Sequence, residues 1–440
     1  MNLESIKNKT VQMILMFSVP SIIAMVLTSL ITIADGFFIG NYVGKEGIAA
    51  VNLGLPILFV YLATGIMIGV GGIAIAGMAL GAQDIKKSSD VFNQTVVTAV
   101  IVSVIISLLV FVFFRPIMGV IEMNAQVAGC FDQYYSIMIL AYPVMIVNST
   151  LGMFIRGEGK PQLFMLINIL TVACNIFLDY LFIRWLHFGI KGVAAASLIS
   201  LILGLLCMVM FFLKKSSVYK FRRFKFSKSV LQDTVLNGSS EFIGQMSMSI
   251  SMFAYNWVIM RTAGVSGVAA FTIVGYAAYV FNMVIIGFGQ GASPLISFSY
   301  GAEEIQLSKM IRKKTNLFVF LSGAVALIAM LIASDWYSGI FVSSESVRTL
   351  IRSGICIFIF SFLFSGVNTI TSFYFTSIGK AKESALISSS RGLVVLLICI
   401  FTLPSLLGMT GVWLVAPVTE AFTIIITFVL IRQNEKCLTT

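Results

Sequence analysis

Long apolar stretches alternate with short polar connections along almost the whole chain. Each stretch runs for about 20 residues or more, which is long enough for a helix to cross a ~30 Å hydrocarbon core. The pattern predicts twelve such spans and leaves little chain for a soluble domain. The predicted spans lie near residues 14–38, 52–79, 92–114, 134–155, 162–184, 191–213, 235–260, 269–296, 315–334, 350–377, 384–406 and 411–431.

Composition agrees with a chain that lies mostly in a membrane. Of the 440 residues, 58% are hydrophobic and 11% are charged, whereas ordinary globular domains carry roughly 25% charged residues. The six cysteines are scattered, without a Cys-x-x-Cys spacing, so we expect neither a disulfide framework nor a metal site. The net charge of +11 could suggest nucleic-acid binding. Its distribution along the chain indicates membrane topology instead.

Lys and Arg are concentrated on alternate connections. The two termini and the even-numbered connections hold 21 of the 29 Lys and Arg residues. The positive-inside rule therefore predicts that both termini and these connections are cytoplasmic. The most basic connection, residues 214–228, could also bind anionic lipid, although a linker that obeys the positive-inside rule is the simpler interpretation.

The two halves of the chain match one another at an offset of 220 residues. LGAQDIKKSSDVFNQT (80–95) aligns with YGAEEIQLSKMIRKKT (300–315), and the same offset aligns Asn148 with Asn368. Each half holds six spans, an even number, so both halves have the same orientation and form a parallel repeat. The expected fold is an all-α polytopic membrane protein whose twelve transmembrane helices form two six-helix lobes. The expected parts are an N-lobe (1–213), a cytoplasmic linker (214–233) and a C-lobe (234–440).

Acidic residues inside the predicted spans are functional-site hypotheses, because a carboxylate at membrane depth is costly. Asp35 lies in the first span and Asp179 in the fifth; both helices run outward, and the two depths agree within roughly 6 Å. Asn175 precedes Asp179 by one helical turn and shares its face. We predict that these three residues form one cation- or proton-coupling site. Further candidates are Glu241, Asn368 and Glu420 for a polar site in the C-lobe, and Asn148 for the transport cavity.

An ordered set of motifs resembles the multidrug and toxin extrusion (MATE) family, and its bacterial members in particular. The motifs are FSVPSIIAMV opening the first span, ADGFFIG with Asp35, FIRGEGKPQ after the fourth span, NIFLD with Asn175 and Asp179, and GIKGVAAA opening the sixth span. The resemblance implies two lobes in a V that exchange organic cations for H⁺ or Na⁺ by alternating access in the bacterial cytoplasmic membrane. It also implies that Asp35, Asn175 and Asp179 form the family's N-lobe cation site.

The pattern departs from one branch of that family. Some Na⁺-coupled relatives pair acids in the seventh and tenth spans, whereas here the tenth span carries no acid and Asn368 is its nearest polar candidate. This difference argues against a C-lobe Na⁺ site of that type. We favour H⁺ as the coupling ion, because a proton needs only one carboxylate.

The intramembrane charges by themselves favour antiport. A buried carboxylate can be neutralised by a proton, by Na⁺ or by a cationic substrate, and mutual exclusion makes the two fluxes run in opposite directions. Unpaired acids with few intramembrane bases predict small organic cations as substrates. We expect no cofactor besides the coupling ion, contact with membrane lipids, and no nucleic-acid partner; the oligomeric state stays open.

Two other functions are consistent with a polytopic chain. A lipid-linked sugar flippase shares the parallel-repeat plan, but it is expected to hold several cations in its cavity, and few basic residues lie inside the spans. A membrane-embedded enzyme of the polyprenyl type would need paired acids for Mg²⁺. No Asp-x-x-Asp cluster lies within a span, so an enzyme is not expected.

Overall fold

The computed structural model describes residues 3–120, 124–342 and 344–437, and these residues are helical apart from short connections. Apolar spans favour helices because a helix satisfies its backbone N–H and C=O groups internally. The first half contains α1 (Leu3–Asn8), α2 (Thr10–Tyr42), α3 (Lys45–Leu53), α4 (Leu55–Gly81), α5 (Ile85–Val120), α6 (Ala125–Gly157), α7 (Pro161–Tyr180) with a π-helical turn (Leu181–Trp185), and α8 (Ile190–Lys214). The second half contains α9 (Lys228–Gly301), α10 (Ile305–Phe341), α11 (Glu345–Phe358), α12 (Ser361–Ser377), α13 (Ala381–Ser389) with a π-helical turn (Ser390–Val394), and α14 (Val395–Cys437).

The helices of the described residues make twelve membrane spans, as the pattern predicted. Ten apolar segments are long enough to cross a membrane when α11 and α12, which meet at a bend of 48°, are counted as one. Two of these ten segments each contain two spans, which brings the number of spans to twelve. Helix α9 has 74 residues, which would extend about 110 Å, and it breaks at Gly264, where φ is 62°. Gly408, where φ is 59°, breaks the last segment in the same way; only glycine adopts such values readily.

The backbone repeats between the two halves at the offset found in the sequence. Gly44 and Gly264 both have positive φ values, of 96° and 62°. Gln83 and Glu303, which follow the second membrane span of each half, have nearly identical values of 62° and 61°. The two halves are therefore built on one scaffold. Further pairs with positive φ are Gly159 with Gly379 and Gly189 with Gly408.

Asn148 and Asn368 make the same hydrogen bond in the two lobes. Asn148 Nδ2 donates to the carbonyl oxygen of Leu201 at 2.9 Å, and Asn368 Nδ2 donates to that of Glu420 at 3.0 Å. Leu201 and Glu420 are 219 residues apart, which is the offset of the repeat after one deleted residue. Asn148 thus ties α6 to α8 within the N-lobe.

The lobes contact one another through glycines in the inner halves of their helices, the halves nearest the connection between α8 and α9. A Cβ on Gly71 of α4 would overlap the carbonyl oxygen of Thr234, and one on Gly238 of α9 would overlap that of Met67. Helix α2 contacts α9 in the same way at Gly291. Without side chains at these points the backbones approach closely, as in other membrane helix pairs.

The connection between the lobes is shorter than expected. Helix α9 begins at Lys228, so the helix includes residues that were assigned to the linker. The remaining connection is held by Glu158, at the end of α6. Its carboxylate accepts hydrogen bonds from Ser216 Oγ at 2.6 Å and from the backbone N–H of Val218 at 3.3 Å.

A candidate cation site in the N-lobe

Three helices bring Asp35, Asn175 and Asp179 together. Asp35 lies on α2, the other two lie one turn apart on α7, and Ser197 of α8 connects them. Asn175 Nδ2 donates to Ser197 Oγ at 3.3 Å, and Ser197 Oγ donates to Asp35 Oδ2 at 3.3 Å. The carboxyl groups of Asp35 and Asp179 are close enough to affect one another electrostatically. The structure therefore places the three predicted residues in one cluster.

Acceptor atoms outnumber donors in this cluster. Asn175 and Asp179 are both 0% exposed. Within the described part of the chain, four buried oxygens have no hydrogen-bond donor: Asp35 Oδ1, Asn175 Oδ1, and both Oδ1 and Oδ2 of Asp179. Buried polar atoms are normally paired, because leaving one unpaired costs about 1–3 kcal/mol. The cluster thus has the chemistry of a site that takes up a proton or a small cation.

Each of the three helices also contributes an apolar side chain near the cluster. Ile39, Ile183 and Val193 each lie four residues from the polar residue of their helix, and all three belong to one buried core. Residues four apart share a helix face, so each polar group has an apolar neighbour on the same face. A low local dielectric strengthens the attraction between the oxygens and a cation.

The C-lobe candidates form a different kind of network. Glu420 Oε1 accepts two hydrogen bonds from Arg391, at 2.7 Å from Nη2 and 3.1 Å from Nε, and Glu420 Oε2 accepts one from Asn368 Nδ2 at 2.8 Å. Thr427 Oγ1 donates to Asn368 Oδ1 at 2.8 Å, and Arg391 Nη1 donates to Thr369 Oγ1 at 2.5 Å. Asn368 and Glu420 are therefore in contact, as one polar site requires. The expectation that the intramembrane acids are unpaired is wrong for Glu420, because Arg391 neutralises it.

Glu241 lies at the margin of this network. Arg391 is close enough to affect it electrostatically. Among the described residues, however, no hydrogen bond connects Glu241 to Asn368 or Glu420. The third C-lobe candidate is thus a neighbour of the network and not one of its hydrogen-bonded members.

The sequence pattern missed several residues of the two sites. Arg391 was recognisable as a base inside a span, and an acid in the next span was the signal for its partner. The hydroxyl groups of Ser197, Thr369 and Thr427 carried no such signal, because Ser and Thr also occur in apolar helices bonded to their own backbone. Their roles depend on which way each helix faces.

The chain matches a known family once in each lobe. The sequence profile of the MatE family matches residues 20–181 and again residues 242–402, together more than half of the chain. The chain belongs to the MatE family. The double match agrees with the 220-residue repeat, and the resemblance of the motifs to MATE transporters is confirmed.

Relatives of this MatE protein are multidrug export proteins. "Multidrug export protein MepA" of Staphylococcus haemolyticus (strain JCSC1435) is 25% identical over 398 residues, which cover 90% of this chain and 87% of the relative. The protein of the same name from Staphylococcus aureus (strain MRSA252) is 23% identical, with 90% and 88% covered. Proteins of this family are transporters rather than enzymes.

Solved structures share the fold over nearly the whole chain. A crystal structure of MATE in complex with MaL6 has a TM-score of 0.93 at 23% identity, covering 97% of this chain and 96% of that one. An outward-facing conformation of a multidrug resistance MATE family transporter has a TM-score of 0.90 at 23% identity with the same coverage. The expected all-α fold with twelve helices in two lobes is confirmed, and the chain is a multi-pass membrane protein.

Proposed function

We propose that this MatE protein exports small organic cations in exchange for H⁺. The observation that carries the proposal is the cluster of unpaired oxygens on Asp35, Asn175 and Asp179. Two facing carboxyl groups in a buried site resist ionising together, so one of them takes up a proton. A cationic substrate competes for the same negative charge. Because proton and substrate exclude one another, each turnover exchanges one for the other.

The proposed exchange has a definite energy source. Export of a monovalent cation against one proton moves no net charge across the membrane. It therefore draws only on the pH difference, which supplies about 1.4 kcal/mol per unit. One pH unit then supports about a tenfold substrate concentration ratio.

Na⁺ is the second candidate for the coupling ion. Hard cations are bound by several oxygen ligands at once, and the N-lobe cluster offers four buried oxygens that no donor occupies among the described residues. The network around Glu420 supports neither ion, because Arg391 already neutralises that carboxylate. We propose no cofactor besides the coupling ion.

The proposed orientation places both termini and the connection between the lobes in the cytoplasm, because 21 of the 29 Lys and Arg residues lie on that side. The glycine contacts between the lobes lie in the same half of the protein. We therefore propose that this conformation is closed toward the cytoplasm and that the lobes part there in the other transport state. The relatives in staphylococci support a bacterial cytoplasmic membrane as the location.

A lipid-linked sugar flippase is less well supported. Such a protein needs free cationic groups in its cavity for the phosphates of its substrate. Arg391 is a basic residue at membrane depth, and Glu420 holds two of its nitrogens. The free groups of the N-lobe cluster are hydrogen-bond acceptors, which is the opposite of what the phosphates of such a substrate require.

The test is ethidium efflux from proteoliposomes under separately imposed pH and Na⁺ gradients. The proposal predicts that a pH gradient accelerates efflux and that Asp35→Asn abolishes the acceleration. Asp132→Asn, which makes the same change at an exposed position, is the matched control. Acceleration by Na⁺ alone would replace H⁺ by Na⁺ as the coupling ion. Lipid translocation without ethidium efflux would favour the flippase.

A further inference from the structure

A groove of about 800 Å³ lies beside the first span, on the side that the Lys and Arg distribution assigns to the cytoplasm. Its apolar wall is formed by Val11, Leu15 and Val19 of α2, which are 41%, 37% and 45% exposed. Residues four apart share a helix face, so the three side chains form one continuous stripe. The groove is thus open and has one continuous apolar wall.

Three lysines also line the groove. Lys7, Lys9 and Lys314 line it. Lys7 forms an ion pair with Glu304 at 2.5 Å. Among the described residues, Lys9 and Lys314 have no carboxylate within ion-pair distance. Two free ammonium groups above an apolar stripe are complementary to a molecule with an anionic head and an apolar tail.

The length of the groove matches one leaflet of a bilayer. Lys9 is the residue that precedes α2, and Val19 lies ten residues farther along, about 15 Å in the direction of the helix axis. This is half of the ~30 Å hydrocarbon core. A phosphate held by Lys9 therefore places an acyl chain against the whole stripe from Val11 to Val19.

We propose that the groove binds one anionic phospholipid of the cytoplasmic leaflet. Lys9 and Lys314 hold the phosphate, and Val11, Leu15 and Val19 contact an acyl chain. An organic cation does not fit, because the lysines repel it. The site is separate from the proposed transport site: Asp35 lies 16 residues beyond Val19, about 24 Å farther along α2.

The lipid would contact both lobes at once. Val11, Leu15 and Val19 belong to α2 of the first half, whereas Met310 and Lys314 belong to α10 of the second half. Binding therefore depends on the relative position of the lobes. This consequence concerns lipid affinity alone and holds whatever molecule the protein transports.

The test is native mass spectrometry of the detergent-purified protein titrated with dioleoyl-phosphatidylglycerol or dioleoyl-phosphatidylcholine. We expect one phosphatidylglycerol to be retained in preference to phosphatidylcholine. Lys9→Gln with Lys314→Gln should weaken phosphatidylglycerol binding about 25-fold, since each lysine near an anionic lipid contributes about fivefold. Val19→Trp should also reduce binding, because the indole fills the apolar stripe without changing any charge.

The matched control is Lys86→Gln with Lys382→Gln, which removes two exposed lysines on the same side of the protein. Circular dichroism on heating checks that each variant is folded. Equal retention of both lipids, or equal losses in the groove and control variants, would overturn the proposal. So would a dimer that Val19→Trp dissociates, because the groove would then be an interface between two copies of the chain.

Discussion

The two lobes share one scaffold and carry their polar groups at different positions. The N-lobe cluster of Asp35, Asn175 and Asp179 has no acidic counterpart after the repeat is applied. The equivalent C-lobe residues are Tyr255, Val395 and Cys399, and they pack together in one hydrophobic cluster. The duplicated helices thus enclose an acidic site in one lobe and an apolar core in the other.

The charged residues of the C-lobe network likewise have uncharged equivalents in the N-lobe. Arg391 and Glu420 correspond to Thr171 and Leu201 in the N-lobe. Arg391 lies eight residues before Cys399, the equivalent of Asp179, so the C-lobe network is displaced by about 12 Å along the helix. The shared scaffold therefore does not dictate where charge is placed.

The difference that matters for function is charge balance. The N-lobe cluster has two acids and four unpaired buried oxygens among the described residues. The carboxylate of Glu420 is bonded to Arg391 and Asn368. An unbalanced cluster can change its proton or cation occupancy during a cycle, whereas a balanced ion pair holds one arrangement. We infer that coupling belongs to the N-lobe and that the C-lobe pair holds its helices together.

The largest expected effect comes from Asp179. Asp179→Asn should abolish pH-gradient-driven ethidium efflux while the protein still folds, because an amide is cheaper to bury than a carboxylate and cannot take up the proton. The measurement is efflux from proteoliposomes, with thermal unfolding as a folding check. Cys399→Ser, at the equivalent C-lobe position, should leave efflux intact. Wild-type efflux by Asp179→Asn would remove the distinction between the lobes.

Arg391 should affect stability more than coupling. Arg391→Met leaves Glu420 as a buried, uncompensated charge, and we expect it to destabilise the protein by about 3–5 kcal/mol. Adding Glu420→Met should restore most of the loss, because the double variant replaces the pair by apolar side chains. Chemical unfolding in detergent measures both changes. If the stable double variant has lost efflux, the C-lobe pair takes part in transport and our inference is wrong.

The equivalent asparagines should differ in the size of their effects. Asn148→Ala removes one hydrogen bond to a carbonyl oxygen and should cost about 1 kcal/mol. Asn368→Ala also removes the partners of Glu420 Oε2 and Thr427 Oγ1, so we expect about 2–3 kcal/mol. The measurement compares the free energies of unfolding of the two variants. Equal values would mean that the additional C-lobe bonds contribute nothing.

Ser197 should have the smallest effect. Ser197→Ala removes the hydroxyl that connects Asn175 to Asp35, a loss of about 1 kcal/mol, which would slow efflux about fivefold. The reverse change at the equivalent position, Ala416→Ser, should leave the efflux rate unaltered. The measurement compares the initial rates of ethidium efflux by the Ser197→Ala and Ala416→Ser variants. A complete loss with Ser197→Ala would show that the hydroxyl is itself part of the coupling site.

The sequence by itself determined the membrane architecture and the N-lobe cluster. Apolar length identified the spans, the 220-residue register identified the repeat, and the motifs identified the family. Asp35, Asn175 and Asp179 could be predicted together because depth in the membrane follows from residue count along a helix. Asn175 and Asp179 also lie one turn apart, so their shared face needed no tertiary information.

Only the tertiary structure decided which helices face one another and at which angle. The Arg391–Glu420 pair, the hydroxyl of Ser197 and the groove beside Val19 all join side chains from different helices. Their contacts depend on the rotation of each helix about its axis, which periodicity does not determine in spans that are apolar all round. The break at Gly264 was predicted as a loop between residues 260 and 269, yet the chain stays helical on both sides of one glycine. A single residue with positive φ turns the chain there, because its neighbours keep their helical hydrogen bonds on either side.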